Sequence, residues 1–172
     1  MKNYKIIEVK ESIFKQNDQD ANLLRKKLKD QHTFLLNLMA SPGAGKTTTL
    51  IQILSILKSK LKIGVMEADI DSDVDAKKIL EKTGIDSIQL HTGGMCHLTA
   101  HMTEQGIDAL DDHYDFLVLE NVGNLVCPAE FDTGSHLNAA ILSVPEGDDK
   151  PLKYPLMFQA VSYTHLRAHE TL

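Results

Sequence analysis

The sequence predicts an α/β fold in which a mostly parallel sheet lies between two layers of helices, a three-layer sandwich. Three observations predict it. Short apolar runs recur along the chain, as in strands that are buried on both faces. Segments with helical periodicity separate these runs, which is the alternation expected of a parallel sheet. A glycine-rich loop joins the first apolar run to a helix, the usual place for a ligand in such a fold.

The composition is that of a globular domain of 172 residues, with 42% hydrophobic and 24% charged residues. The net charge is −6 and no basic stripe is present, which excludes a general nucleic-acid binder. No apolar run approaches the roughly 18 residues of a membrane span, and the N-terminus lacks the apolar core of a signal peptide. We therefore expect a cytoplasmic protein without a membrane partner, whose two cysteines are thiols or metal ligands.

Three parts are expected along the chain. Residues 1–31 form an N-terminal segment with a helix from Asn17 to Leu28, capped by Asn17 or Asp18. This helix is polar overall, so it is expected at the domain edge or facing a partner. Residues 32–159 form the main domain, and residues 160–172 a separate tail.

The glycine-rich loop has the features of a phosphate-binding loop. Residues 41–47 read SPGAGKT and lie between a strand, Phe34–Ala40, and a helix that begins at Lys46. Backbone N–H groups of such a loop bind phosphate, and the helix N-terminus adds donors and the positive end of its dipole. Ala40 stands where the strict motif has glycine, which is tolerable if its φ is negative. The residues predicted to bind the nucleotide are Gly43, Ala44, Gly45, Lys46, Thr47 and Thr48. A glycine-rich turn that binds nothing is the alternative.

Two later strands end in acidic residues. After Ile63–Glu67 comes EADIDSDVD, most of which is expected to be a solvated turn, with Asp73 capping the helix from Val74 to Lys82. One carboxylate is needed there beside a nucleotide-bound Mg²⁺, and Asp69 is favoured over Asp75.

The other strand of this kind is Asp115–Glu120. Glu120 is expected to hold Mg²⁺ directly or through water, and the N–H of Gly123 to sense the γ-phosphate. Lys46, Asp69 and Glu120 form the predicted catalytic set, and Thr47, Asp69 and Glu120 the predicted Mg²⁺ ligands. No residue acts as a nucleophile, because water attacks the γ-phosphate.

A cluster of soft metal ligands follows the third predicted strand, Ile85–Leu90. Cys96 is expected to open a helix that runs to Leu110, which would put His97 and His101 on one face. A thiolate with imidazoles suits Zn²⁺ or Ni²⁺ better than Mg²⁺ or Ca²⁺. Cys127 follows the Glu120 strand, so the two thiols approach one another if both loops lie at the same sheet edge. The alternative is an exposed polar helix face with a stray thiol.

Together these pieces resemble the hydrogenase nickel-incorporation GTPases (HypB), metallochaperones of nickel–iron hydrogenase maturation. The matching segments are NLMASPGAGKTTTL, EADIDSDVDAKKI, HTGGMCHLTAHM, LENVGNLVCPAEFDTG and SVPEGDDKPLKYPLMF, in the family's order. The resemblance implies a P-loop NTPase fold of the SIMIBI class and hydrolysis of GTP to GDP and phosphate. It also implies a nickel or zinc site of Cys96, His97 and Cys127 at a subunit interface, with His101 as an additional candidate.

The implied partners are a second copy of the chain in a GTP-dependent homodimer, a small nickel-binding accessory protein (HypA) and, indirectly, the hydrogenase large subunit. The sequence departs from the family in two ways. It begins without the cysteine-rich or histidine-rich stretch of some members, so no separate N-terminal metal site is expected. No Asn-Lys-x-Asp element, which reads guanine in the family, is present. Residues 160–172 resemble a translated sequencing adapter, so we expect a domain that lacks its C-terminal part and ends in a non-native tail.

Other functions remain open at this point. One is a small-molecule ATP-dependent P-loop kinase, in which Cys96 and His97 would be incidental. A second is a urease-type nickel accessory GTPase, which also has Cys and His after a glycine-rich turn. The third is a metal storage module with a vestigial nucleotide site, against which the intact Lys46, Thr47 and Glu120 argue. Nickel and zinc are not distinguished, because both accept these ligands.

Overall fold

Six strands and seven α-helices make up the part of the chain that the computed structural model describes, residues 9–69 and 74–167. The strands are β1 (Phe34–Ala40), β2 (Ile63–Asp69), β3 (Asp86–His91), β4 (Phe116–Glu120), β5 (Leu137–Ser143) and β6 (Tyr163–Arg167). The helices are α1 (Val9–Asp30), α2 (Lys46–Leu57), α3 (Val74–Thr83), α4 (Ala100–Ala109), α5 (Cys127–Glu130), α6 (Lys150–Lys153) and α7 (Pro155–Ala160). The strands form one sheet in the order β3-β2-β4-β1-β5-β6, and every neighbouring pair is parallel.

Apolar side chains cover both faces of the central strands. In β2, Val65 packs in a cluster with α2 and α3, whereas the next residue, Met66, packs in a cluster with α1 and α4. In β4, Val118 and Leu117 divide between the same two clusters. Successive side chains of a strand point to opposite faces, so a sheet with helices on both sides requires continuous apolar runs. The predicted three-layer α/β fold is confirmed.

Helix α1 packs against the sheet and begins earlier than predicted. It starts at Val9, so Asn17 lies in the helix interior and neither Asn17 nor Asp18 caps it. Leu24 and Leu28 are buried in the cluster that also holds Leu117. Full burial of a leucine side chain contributes about 1.5–3 kcal/mol, which is enough to fix an otherwise polar helix on this face.

The chain after β5 forms short helices and an edge strand. Residues of the predicted tail include β6, which pairs in parallel with β5 through Tyr163 and Arg167. Most side chains of β6 are exposed, so it adds backbone hydrogen bonds to the sheet rather than core. That residues 160–172 are a non-native tail stays a prediction. Asp71 and Asp73 of the predicted acidic turn lie outside the described residues.

Within residues 9–69 and 74–167, no helix is both long and apolar enough to cross a membrane.

Candidate functional site

The loop between β1 and α2 has the backbone of an anion-binding loop. Gly43 and Gly45 have φ values of 76° and 88°, in the left-handed region that residues with a Cβ rarely adopt. Helix α2 begins directly after Gly45, so its unpaired N–H groups and dipole act at the same place. Ala40 lies in β1 and is not among the described non-glycine residues with positive φ. A small residue other than glycine is therefore compatible with this loop.

A cavity of about 440 Å³ opens where β1, β2 and β4 end. This volume lies within the range of about 300–1,000 Å³ that is typical of ligand pockets. The carboxyl ends of neighbouring parallel strands meet at one edge, which is where ligands of open α/β sheets bind. Residues predicted from the sequence that line the cavity are Gly43, Gly45, Lys46, Thr47, Thr48, Asp69, Asp75, Glu120 and Gly123. The side chain of Ala44 instead belongs to the buried core.

Three carboxyl groups converge in this cavity. One oxygen each of Glu67, Asp75 and Glu120 lies within 4.8 Å of the other two. Glu67 and Glu120 are register partners on β2 and β4, and both are almost fully buried. The Thr47 hydroxyl donates a hydrogen bond of 2.9 Å to Oε1 of Glu120. Asp69 lines the same cavity but is not part of this group.

Burial favours a protonated form of this carboxyl pair. Burial, and then the neighbouring Glu120 carboxylate, raise the pKa of Glu67 to about 11. Burial also raises the pKa of Glu120, while the hydrogen bond from Glu67 and the charge of Lys46 oppose that rise. Oε2 of Glu67 and Oε2 of Glu120 are buried and have no hydrogen-bond partner. Unsatisfied carboxylate oxygens beside a threonine hydroxyl are suited to Mg²⁺, a hard cation that prefers oxygen ligands.

The sequence reasoning missed Glu67. An acidic residue in an otherwise apolar strand was the available signal, since Glu67 follows IGVM as Glu120 follows FLVL. The sequence does not show the register of β2 and β4, which places Glu67 and Glu120 opposite one another.

The second candidate site lies in the loop before α4 and at the first residue of α5. The Cys96 Sγ lies 3.9 Å from Nδ1 of His97. Two ligands of one tetrahedral zinc, at 2.3 Å for sulfur and 2.0–2.1 Å for nitrogen, are about 3.6 Å apart. A hydrogen bond with the Cys127 thiol, with a smaller effect of burial, raises the pKa of Cys96, which indicates that the two thiols are near one another. Burial lowers the pKa of His97, which favours the neutral imidazole that binds metals.

The predicted helix from Cys96 to Leu110 is wrong at its beginning. Helix α4 starts at Ala100, because Thr99 adopts an extended conformation and its hydroxyl accepts a hydrogen bond from the N–H of Met102. Cys96 and His97 therefore lie in a loop, and the helical spacing of His97 and His101 does not exist. His101 is exposed on α4, beside residues of α1 such as Gln16.

Cys96, His97 and Cys127 lie near one another, but their ligand atoms are not all within 4.8 Å of each other. Of the residues in the described ranges, only Glu67, Asp75 and Glu120 form a set of three or more metal-binding side chains within 4.8 Å of one another. Cys96 lies 3.9 Å from His97, and Cys127 is the group that raises the pKa of Cys96 most. Cys127 lies seven positions after Glu120, so one short segment connects the two candidate sites.

Comparison with known proteins gives a consistent match. Residues 34–143 match the family model described as CobW/HypB/UreG, nucleotide-binding domain. The hydrogenase/urease maturation factor HypB of Helicobacter hepaticus is 46% identical over 161 residues, which cover 91% of this chain and 65% of that protein. The hydrogenase maturation factor HypB of Rhizobium leguminosarum bv. viciae is 43% identical, over 100% of this chain and 58% of that protein. The chain thus spans about three fifths of the length of these relatives.

Solved structures agree. A crystal structure of HypB from Helicobacter pylori in complex with nickel has a TM-score of 0.79 and 42% identity, covering 87% of this chain and 70% of that one. HypB from Archaeoglobus fulgidus has a TM-score of 0.79 and 34% identity, covering 88% and 73%. The signal recognition particle receptor FtsY from Elizabethkingia anophelis, at 16% identity and a TM-score of 0.59, shares the fold.

Proposed function

Because the chain belongs to the CobW/HypB/UreG family, and within it to the HypB maturation factors, we propose that it is a GTPase that carries nickel for hydrogenase maturation. The observation that supports this most directly is the segment from Glu120 to Cys127. It joins a buried carboxylate of the nucleotide cavity to a thiol of the second site. A protein that only bound nucleotide, or only stored metal, would not need a short segment that connects the two sites.

The nucleotide half of the proposal uses the phosphate loop. Backbone N–H groups from Gly43 to Thr47 and the Lys46 ammonium bind the phosphates, and Thr48 lines the same cavity. The resident cation is Mg²⁺, which supplies charge neutralisation on the phosphates when bound. Thr47, Glu120 and a carboxylate of β2 or α3 would hold it. The structure favours Glu67 and Asp75 for that last role by proximity, whereas Asp69 lines the cavity further along β2.

Catalysis in this proposal is positioning and charge stabilisation. Water is the nucleophile, and the fixed donors of the loop hold the γ-phosphate in line. The Gly123 backbone lies against the phosphate loop, since a Cβ at position 123 would be 3.3 Å from Cα of Pro42. A γ-phosphate that changes this packing would move the segment that leads to Cys127.

The metal half of the proposal treats nickel as cargo, with zinc as an equally acceptable occupant of the same ligands. Cys96, His97 and Cys127 are the ligands. The position of α4 places His101 on a helix rather than in their loop, so we assign it no ligand role. In the proposed cycle, a HypA-type accessory protein delivers the metal, and the second copy in a GTP-dependent dimer completes the site. The metal is then transferred toward the hydrogenase large subunit. We place this cycle in the cytoplasm.

The test compares the affinity for Ni²⁺ in the presence of a non-hydrolysable GTP analogue and of GDP. Allosteric coupling typically changes affinity by about 5- to 150-fold. We expect at least a fivefold difference between the two nucleotide states, and equal affinities would refute the coupling.

Lys46→Ala is the companion variant. It should abolish release of phosphate from GTP. Binding of Ni²⁺ without nucleotide should be unchanged, because Lys46 lines the nucleotide cavity and not the thiol site. Transfer of phosphate from ATP to a small molecule, rather than from GTP to water, would contradict the GTPase proposal and favour a kinase.

A further inference from the structure

Asn17 on α1 contacts both segments that carry the candidate metal ligands. Its Nδ2 donates a hydrogen bond of 2.8 Å to the carbonyl of Asp132, which follows α5. Its Oδ1 accepts a hydrogen bond of 3.0 Å from the N–H of Ala100, the first residue of α4. Ala100 comes three residues after His97, and Asp132 five residues after Cys127. One side chain therefore bridges the two halves of the site.

Asn17 occupies a buried position inside a helix, which is unfavourable for asparagine. It lies in the interior of the 22-residue helix α1, where asparagine is unfavourable relative to alanine by several tenths of a kcal/mol. Its side chain is only 6% exposed, although polar residues are usually on the surface. Both ends of its amide are satisfied by backbone groups of other segments. The bridge accounts for a buried asparagine that neither helix formation nor solvation explains.

Aromatic rings provide a second connection between the same segments. The His97 ring stacks on Phe131, with centroids 3.8 Å apart and an interplanar angle of 11°. Phe131 in turn contacts Phe14 of α1, with centroids 4.7 Å apart. Arg25 of α1 adds a salt bridge to Asp132 at 2.7 Å, next to Phe131 in the chain. Helix α1 thus touches each ligand-bearing segment through its side chains.

We propose that Asn17 and Phe131 are positioning residues of the thiol–imidazole site, and that α1 holds the two ligand segments together before a metal arrives. This inference rests on the proposed metal-binding function. Cys96 lies in the loop before α4, and Cys127, 31 positions further along the chain, is the first residue of the four-residue helix α5. Ordering these two segments at the moment of binding would reduce affinity, and a prior connection avoids that cost. Residues that orient ligands typically change metal affinity by about 10- to 100-fold.

The first experiment measures the Ni²⁺ affinity and the near-ultraviolet thiolate-to-Ni²⁺ charge-transfer band of Asn17→Ala without nucleotide. We expect the affinity to fall by about 10- to 100-fold and the band to change, because the two segments separate. The matched control is Asn22→Ala, which makes the same substitution on the same helix at an exposed residue whose side chain accepts a hydrogen bond from Arg25 of α1 itself. Nucleotide binding and the thermal midpoint report whether each variant is folded.

The second experiment replaces the ring at position 131. Phe131→Leu keeps an apolar side chain but removes the surface on which His97 stacks, so we expect weaker Ni²⁺ binding. Phe131→Tyr keeps the ring and should restore the affinity and the band. A purely structural role of this residue would not depend on aromaticity in this way.

The outcomes separate the inference from the function on which it rests. If the unsubstituted chain shows no thiolate band with Ni²⁺, the proposed metal function fails and the inference fails with it. If that band is present and is the same in Asn17→Ala as in Asn22→Ala, the positioning role of Asn17 is refuted while the metal site stands. If Phe131→Leu and Phe131→Tyr bind equally well, the role of Phe131 is refuted.

Discussion

At the residue scale, Glu67 and Glu120 form a buried pair of carboxyl groups in which a shared proton is favoured. Burial raises both pKa values, and the neighbouring Glu120 carboxylate raises that of Glu67 further, whereas the hydrogen bond from Glu67 and the charge of Lys46 oppose the rise for Glu120. The same arrangement offers ready ligands to Mg²⁺, because a bound divalent cation reverses the electrostatic preference. A protonated pair is therefore the expected resting form, and the ionised pair the form that holds a cation.

Glu67→Gln tests this pair through the pH dependence of stability in a chelator. The pKa of Glu67 lies near 4.5 in the unfolded chain and is raised to about 11 in the fold, so the folded state binds more protons between these values. Stability should fall as pH rises from 6 to 9, by up to about 1.4 kcal/mol per pH unit for one proton. Glutamine mimics the neutral acid, so the variant should show a shallower slope.

Glu81→Gln is the control, because Glu81 is exposed on α3 and ionisation of the cysteines contributes equally to both variants. The measurement is the thermal midpoint across this pH range. Equal slopes in Glu67→Gln and Glu81→Gln would contradict the shared proton. The same pair of variants, compared for Mg²⁺-dependent binding of GTP, shows whether Glu67 contributes to the cation site.

At the element scale, the side-chain amides of Asn121, Asn37 and Asn138 form a chain that connects the end of β4 with β1 and β5. Nδ2 of Asn121, after β4, donates to Oδ1 of Asn37 in β1, and Nδ2 of Asn37 donates to Oδ1 of Asn138 in β5, both at 3.0 Å. Oδ1 of Asn121 also accepts from the N–H of Val122 at 2.9 Å, at the start of the segment that contacts the phosphate loop. A polar residue in the middle of an apolar strand thus fixes how the β4 loop leaves the sheet.

Asn37→Ala should destabilise the protein by about 1–3 kcal/mol, because it leaves the buried Nδ2 of Asn121 without its acceptor and removes the hydrogen bond to Asn138. Denaturant unfolding measures this loss, and the exposed Asn22→Ala should lose less than about 0.5 kcal/mol. A loss for Asn37→Ala no larger than that of Asn22→Ala would show that the amide chain carries no net stability.

At the scale of the whole molecule, the nucleotide cavity and the thiol site share the segment from Glu120 to Cys127. Gly123 is its contact with the phosphate loop, and a Cβ there would lie 3.3 Å from both Cα and Cγ of Pro42. Further along the chain, Asn17 and Arg25 of α1 contact Asp132, five residues after Cys127. The segment therefore runs from the phosphate loop to a part of the chain that α1 holds, and a change at one site can reach the other through it.

Gly123→Ala tests this connection. The added methyl group must push Pro42 or the loop by a few tenths of an ångström, so the discrimination between a GTP analogue and GDP should decrease. The ratio of the two affinities measures the effect, with Val126→Ala, at an exposed residue of the same segment, as control. An unchanged ratio would show that Gly123 does not report the γ-phosphate.

The fold class and the phosphate loop could be predicted from the sequence alone, because both depend on residues that are neighbours in the chain. Short apolar runs predict buried strands, and glycine permits a positive φ. Lys46 and Thr47 follow Gly45 directly in the chain. The sequence also placed Cys96 and Cys127 among candidate ligands by residue type. It did not determine where α4 begins, because the choice between Cys96 and Ala100 depended on the cap that Thr99 forms.

Only the tertiary structure decided which residues meet. Glu67 stands opposite Glu120 because of the strand register, and Asn17 bridges two loops because α1 packs beside them. Neither relation has a local signature, since a glutamate ending a strand and an asparagine within a helix each look ordinary in sequence. The physical reason is that burial and partners, rather than residue type, set the pKa of an acid and the role of an amide, and both are properties of the packed molecule.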